Sequence, residues 1–382
     1  MIYVHIPFCR SFCTYCDFYS EVASHYCDSF ADALVNEVKT RGHEIDDQVN
    51  TLYIGGGTPS VLPSCVYERL LSALSDVGHG GPYDEFTVEV NPDDIAAKGE
   101  GYVEELLKLG VNRISMGVQS FDDGILKFMN RRHDVATARK AYAVLENAGV
   151  ENISIDLIFG LPQLSDGQWR NTLRDALDIS SKGNLPRHIS SYQLSVEPGS
   201  MLAGMMAKGR FVEASEELCE GQYDILCETL AEAGYGHYEI SNFALPGFEA
   251  LHNSAYWRHV PYAGFGPGAH SLIRRSSLTA DSGFKGAWMR QWNKPDLKKY
   301  IEDQPDIREF EILSEEQLEI ERIMLSLRTS AGIPSAFLES GCDPRALEKA
   351  YSSGNLVRLK DGHSRIPESR FFISDSIISE LI

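Results

Sequence analysis

Positive charge, cysteine and long apolar runs are all in short supply in this sequence. Lys and Arg number 35 against 55 Asp and Glu, a formal net charge of −20. So acidic a surface argues against nucleic-acid binding, which is driven by clustered cations on phosphate. No run of about 18 apolar residues occurs, so no integral membrane segment is expected. The opening stretch MIYVHIPFCRSF has neither a basic leader followed by a long apolar stretch nor an Arg- and Ser-rich amphipathic character. No targeting signal is therefore expected, and the reducing cytoplasm is the natural compartment. Eight cysteines in 382 residues are too sparse for a disulfide scaffold. Apolar residues are plentiful, at 43 % of the chain, enough to fill the core of one large domain or of a large and a small one.

Up to about residue 200, short apolar runs alternate with helical patterns. The strand-like runs are IYVHI (2–6), TLYIG (51–55), FTVEV (86–90), RISMGV (113–118), ISIDLIF (153–159) and ISSYQL (189–194). Most are rich in β-branched residues and bounded by Gly, Pro or Asn, as buried strands are. Helices are expected near 28–42, 65–77, 101–109, 134–149 and 167–181. Repeated strand–helix alternation implies parallel units with right-handed crossovers. Six of them make an α/β fold, an incomplete (β/α)6 barrel over residues 1–200. In such barrels chemistry gathers where strands end. The cysteines follow the first run, GGGTP the second and Asn91-Pro92 the third. Gln119 follows the fourth run, Asp156 lies in the fifth, and Tyr192 and Gln193 lie in the sixth. Residues 201–300 read as a barrel extension, with a helix near 214–233, the segment HNSAYW and an irregular stretch over 274–295. Residues 301–382 read as a small, mainly helical C-terminal domain with a hairpin-like end.

Three of the eight cysteines crowd together as C-x-x-x-C-x-x-C at Cys9, Cys13 and Cys16. Three thiolates on one loop suit three irons of a cubane cluster and leave the fourth iron without a protein ligand. Zinc is the alternative, although it usually takes four ligands from separated pairs. Three incidental thiols are the other alternative. Cys27, Cys65, Cys219, Cys227 and Cys342 are scattered and read as packing residues. Gly56 and Gly57 in GGGTP let backbone approach a ligand closely, since glycine has no Cβ.

With Tyr15 before its last cysteine, the motif resembles the radical S-adenosylmethionine (SAM) superfamily. That resemblance implies a [4Fe–4S] cluster whose open iron is chelated by the cofactor's amino and carboxylate groups. It places Gly56, Gly57 and Thr58 along the amino-acid end of S-adenosylmethionine. The segments YVHIPFC, YIGGGTPS, VEVNP, SMGVQSF, DLIFGLP and SSYQLSVEPGS further resemble the oxygen-independent coproporphyrinogen III dehydrogenase family. By that likeness Tyr3, Tyr15, Glu89, Gln119, Arg131 and Asp156 are cofactor contacts. Carboxylates suit ribose hydroxyls or an amine, and a guanidinium suits a carboxylate.

One position departs from the dehydrogenases, which carry another cysteine two places after the motif. Here it is Phe18. The sequence also starts almost at the motif, without their longer N-terminal segment. Both differences favour the sister group, the haem chaperones. The segment HNSAYW matches that group's H-N-x-x-Y-W pattern and implies that His252, Asn253, Tyr256 and Trp257 handle haem. An imidazole can ligate iron, and Tyr and Trp offer flat apolar faces. His5, beside the cysteine loop, and His270, after a glycine-rich turn, are given no role. The expected function is haem delivery to a haem-accepting protein at the membrane, with cluster-dependent homodimerisation. Oxidative decarboxylation of coproporphyrinogen III and another radical chemistry of unknown substrate are the alternatives.

Overall fold

The structure, a computed structural model, describes residues 1–46, 48–274 and 288–382. The six expected strands form as β1 (Ile2–Ile6), β2 (Thr51–Gly56), β3 (Glu85–Val90), β4 (Arg113–Gln119), β5 (Ile153–Phe159) and β6 (His188–Gln193). Consecutive members pair in parallel, in chain order. The helices between them are α1 (Cys27–Arg41), α2 (Ser64–Asp76), α3 (Pro92–Lys108), α4 (Asp123–Phe128), α5 (Val135–Asn147) and α6 (Asp166–Leu177).

Side chains alternate across these strands, as a pleated strand requires. Ile2, Val4 and Ile6, Leu52 and Ile54, Phe86 and Val88, and Ile114 and Met116 all belong to the buried apolar core. The intervening residues are mostly polar. Tyr53, Glu89, Arg113, Ser115, Asp156, Ser190 and Tyr192 line a central cavity of 470 Å³. The barrel therefore has an apolar outer wall and a polar lumen.

The sheet grows beyond six strands. After α7 (Met201–Ala207) and α8 (Glu216–Glu232), β7 (Gly236–Glu239) and β8 (Asn242–Ala244) add antiparallel beyond β6. At the opposite edge β9 (Ala263–Phe265) pairs in parallel with β1, giving nine strands in the order β7-β8-β6-β5-β4-β3-β2-β1-β9. Between β8 and β9, the HNSAYW segment forms α9 (Leu251–Trp257). The Leu251 and His252 amides donate to the Glu85 carboxylate at 2.7 and 3.2 Å. Glu85 opens β3, so the start of α9 packs at the N-terminal end of the barrel.

The stretch 274–295 is not irregular throughout. Its residues 275–287 lie outside the described ones, but β11 (Trp288–Asn293) pairs antiparallel with β10 (His270–Arg274) and with β12 (Arg308–Leu313). This sheet runs across residue 300, where the sequence suggested a boundary, because strand pairing couples segments that composition separates. Past α10 (Leu297–Ile301), the remaining chain holds α11 (Glu315–Ser326), β13 (Ile333–Pro334), α12 (Ser335–Gly341) and α13 (Pro344–Ser352). These are followed by β14 (Val357–Arg358), β15 (His363–Arg365) and α14 (Ser374–Ser379). The last three strands form their own sheet in the order β13-β15-β14.

Candidate cluster and cofactor site

Cys9, Cys13 and Cys16 lie on the loop after β1, are free of disulfides and all line the central cavity. The loop is held from several sides. Gly57 and Thr58 donate backbone hydrogen bonds to the Ile6 and Phe8 carbonyls at 2.8 and 2.7 Å. Thr14 N–H donates to Met129 O at 3.1 Å, and Thr14 O accepts from Leu202 N at 2.9 Å. Cys9 Sγ lies 3.2 Å from Thr58 Oγ1, and the Arg131 guanidinium donates to Cys13 Sγ at 3.4 Å. Burial pushes the Cys16 thiol up to about 12, with Cys13 and Cys9 adding to it. A cation at the three sulfurs would relieve that and displace the protons.

Among the described residues no three His, Cys, Asp or Glu side chains converge on one metal ion. Zinc requires such convergence. A cubane does not, because each thiolate takes its own iron. The cysteine loop therefore fits the cluster.

The glycines of GGGTP are sterically required. A Cβ on Gly57 would lie 2.7 Å from Phe8 O, and one on Gly55 would lie 2.7 Å from Glu89 Oε1. Gly56 adopts φ +102°, a region that favours glycine, and a Cβ there would meet the His5 ring. Gln119 ends β4 at φ 70°, beside a register shift in the β4–β5 ladder. A non-glycine residue in that region is strained, and such strain clusters at functional sites.

Arg131 is half-buried in the cavity wall. Its Nη2 donates to Asn91 Oδ1 at 2.8 Å and to Gly117 O at 2.6 Å, while its buried Nε has no partner. That orphaned donor, beside a sulfur of the cluster loop, suits the carboxylate of an amino acid. On the facing wall, Tyr53 Oη donates to Glu89 Oε1 at 2.7 Å and the Gly56 amide to Oε2 at 3.1 Å. Burial raises the Glu89 pKa to about 7 despite these bonds, with Asp156 contributing. Burial likewise raises Asp156, whose carboxylate accepts from Ser115 Oγ at 3.1 Å. Tyr3 and Tyr15 are both held above their ordinary range, first by burial. Tyr15 stands next to Arg131 and Cys13. Tyr3 faces His5 rather than the cavity, with Oη 3.1 Å from His5 Nδ1. The residues present thus fit a cluster with an amino-acid-bearing cofactor at its open iron.

Arg113 and Tyr53 were not anticipated from the sequence. Arg113 is 1 % exposed, lines the cavity and sits in the field of Glu89 and Asp156. The signal was the two-residue period: in RISMGVQ every second residue from Arg113 to Gln119 faces the lumen.

Residues 3–176 match the sequence pattern of the radical SAM superfamily. The heme chaperone HemW of Lactococcus lactis subsp. lactis is 35 % identical over 87 % of this chain and 82 % of its own length. That of Bacillus subtilis is 33 % identical over 87 % and 84 %. The chain belongs to the HemW family of radical SAM proteins. Among solved structures, the coproporphyrinogen III oxidase HemN of Escherichia coli matches 99 % of this chain and 89 % of its own with a TM-score of 0.77. At 22 % identity that likeness speaks for the fold alone. Membership of the HemW family brings with it the [4Fe–4S] cluster and S-adenosylmethionine.

The four residues of the HNSAYW segment do not form one site: His252 and Tyr256 meet, while Asn253 and Trp257 face elsewhere. His252 is 1 % exposed, with Nδ1 2.9 Å from Thr51 Oγ1 and Nε2 3.1 Å from Tyr256 Oη. Burial, the chain's amino group and Arg113 lower its pKa to about 3, so the ring is neutral. Both nitrogens are nevertheless engaged. Asn253 reaches the central cavity, Tyr256 lines a different groove, and Trp257 lines neither. An α-helix turns successive residues by about 100°, which is why four neighbours in sequence face three ways.

Proposed function

We propose that this protein is a haem chaperone. It carries a [4Fe–4S] cluster on Cys9, Cys13 and Cys16 and binds S-adenosylmethionine at the open iron. It takes up haem and passes it to a haem-accepting protein at the membrane, with cluster-dependent pairing of two copies. The likeness to heme chaperones along nearly the whole chain carries this reading. Phe18 supports it: 63 % exposed, it stands where the oxidising relatives have a further cysteine. No helix of the described residues is long and apolar enough to cross a membrane, so membrane delivery would require docking.

When bound, the cluster and cofactor supply one-electron cleavage of the sulfonium carbon–sulfur bond. The chain's own residues bind and orient. Arg131 holds the cofactor carboxylate through its spare Nε–H, and the Gly56–Gly57 backbone lies alongside the amino-acid end. Glu89 and Asp156 take amine or ribose hydroxyl donors, Tyr15 and Gln119 frame the site, and Thr58 fixes Cys9. Titration of the purified, cluster-loaded protein with ferric haem tests the reading, followed by mixing with an apo-haemoprotein. Saturable uptake near one haem per chain and transfer on mixing are expected. Absence of uptake contradicts it.

A further inference from the structure

Beside the cysteine loop lies a second cavity of 400 Å³, an open groove on the β1–β9 edge of the sheet. Tyr256, Tyr262, Trp292 and Phe18 line it, together with His270. It adjoins the central cavity at Asp17 and Phe18, which line both. Its size and aromatic walls suit a flat, apolar ring system.

Three histidines stand near this groove, and two are occupied. His5 has Nδ1 at 3.1 Å from Tyr3 Oη and Nε2 at 2.8 Å from the Tyr19 carbonyl. His252 is buried, with both nitrogens bonded as described. His270 is exposed, and among the described residues neither of its ring nitrogens has a hydrogen-bond partner. Its ring stacks on Trp292, with centroids 5.9 Å apart and planes 18° from parallel.

The sequence holds His270 in place firmly. Its ladder partner on β11 is Trp292 itself. The preceding turn is closed by Gly268 N–H to Asn293 O at 3.1 Å and Asn293 N–H to Ala269 O at 2.9 Å. Gly266 packs directly on the His5 carbonyl at φ +96°, where a Cβ would clash. A fixed, uncommitted imidazole in an aromatic groove is built to ligate, and its partial burial beside Arg290 favours the neutral ring that metal binding needs.

We infer that His270, and not His252, is the axial ligand of the carried haem, which lies in the groove between Tyr256, Tyr262, Trp292 and Phe18. This rests on the haem-chaperone reading and assigns its binding site. The bond formed is dative, from a ring nitrogen lone pair into an open axial position of ferric iron. A bound water leaves if one is there, and no electron is transferred. Within HNSAYW, Tyr256 then contributes a wall of the haem site, and His252 positions Tyr256 through its hydroxyl.

The test is ferric haem titration of the cluster-loaded wild type and of His270→Ala, His270→Gly and His252→Ala. It is read by the Soret band and by electron paramagnetic resonance of the haem iron. His270→Ala should weaken uptake by roughly tenfold or more and replace the wild-type ligand signature. Added imidazole should restore that signature in His270→Gly, showing that the variant is folded. His252→Ala should keep the wild-type signature even where affinity falls. Wild-type spectrum and affinity in His270→Ala, or loss of the signature only in His252→Ala, would overturn the assignment while leaving the chaperone reading standing. No uptake by the wild type would overturn both.

Discussion

Glu89 stands in the polar wall of the lumen with a tyrosine hydroxyl on one oxygen and a backbone amide on the other, yet burial holds its pKa near 7. Between its ordinary value of 4.5 and about 7, the folded chain keeps a proton that the unfolded chain has lost. Stability of the cofactor-free protein therefore falls as pH rises through that window and stays lowered above it. Asp156, raised in the same way, adds to the fall. Glu89→Gln should flatten this decline, gaining more in thermal midpoint over the wild type at pH 8 than at pH 5. A pH-independent difference would contradict the assignment. The cysteines obey a simpler rule. Cys13→Ala removes one of three thiolates and should abolish both iron retention and the reduced cluster's paramagnetic signal after anaerobic reconstitution. Retention of full iron content would show that the loop is not the cluster's seat. Spacing made these three cysteines legible in the sequence. Arg113 was not, because a single buried cation carries no motif and only strand alternation betrays it.

At the level of elements, the weight of the barrel's open edge falls on a network centred on buried Glu37. Burial alone would raise this carboxylate's pKa, but Arg41, Asn293, Gly266 and Tyr300 bring it below its ordinary value. Asn293 Nδ2 and Tyr300 Oη each donate to it at 2.7 Å, and the Gly266 amide donates at 2.8 Å. Arg41 reaches on to the Gly264 carbonyl at 2.9 Å and Ser271 Oγ at 3.1 Å. Two helix residues, Glu37 and Arg41, thus tie α1 to β9, β10, β11 and α10. Glu37→Ala takes the acceptor from the Asn293, Tyr300 and Gly266 donors and leaves buried Arg41 with Glu44 as its remaining carboxylate partner, and should cost about 3 kcal/mol, read from the denaturant midpoint. A loss below about 1 kcal/mol would mean that the network is incidental.

The six parallel strands were legible because β-branched runs bounded by Gly and Asn are locally explicit. Helix α3 was read only from residue 101, because Gly99 at φ 73° kinks it and interrupts the helical pattern. Strand β9 was missed because Ala263–Phe265 is three residues long in a glycine-rich stretch, and only pairing with β1 makes it a strand.

For the molecule as a whole, the barrel and its cluster loop are features shared by haem carriers and porphyrin oxidisers, so the fold cannot separate them. The separation rests on the relatedness to HemW along the chain and on Phe18 in the cavity wall. Sequence spacing picked out residues that the fold brings to one cavity, among them Cys9, Cys13, Cys16, Gly56, Glu89 and Asp156, because they lie on strands or on the short loops after them. It grouped the HNSAYW residues into one haem site, where the helix disperses them, because sequence adjacency says nothing about facing. The most direct test is anaerobic incubation of the cluster-loaded protein with coproporphyrinogen III, S-adenosylmethionine and a low-potential reductant, with porphyrin products followed by fluorescence after oxidation. The account predicts no protoporphyrinogen above the protein-free control from a preparation that takes up haem. Multiple-turnover conversion of coproporphyrinogen III would contradict it.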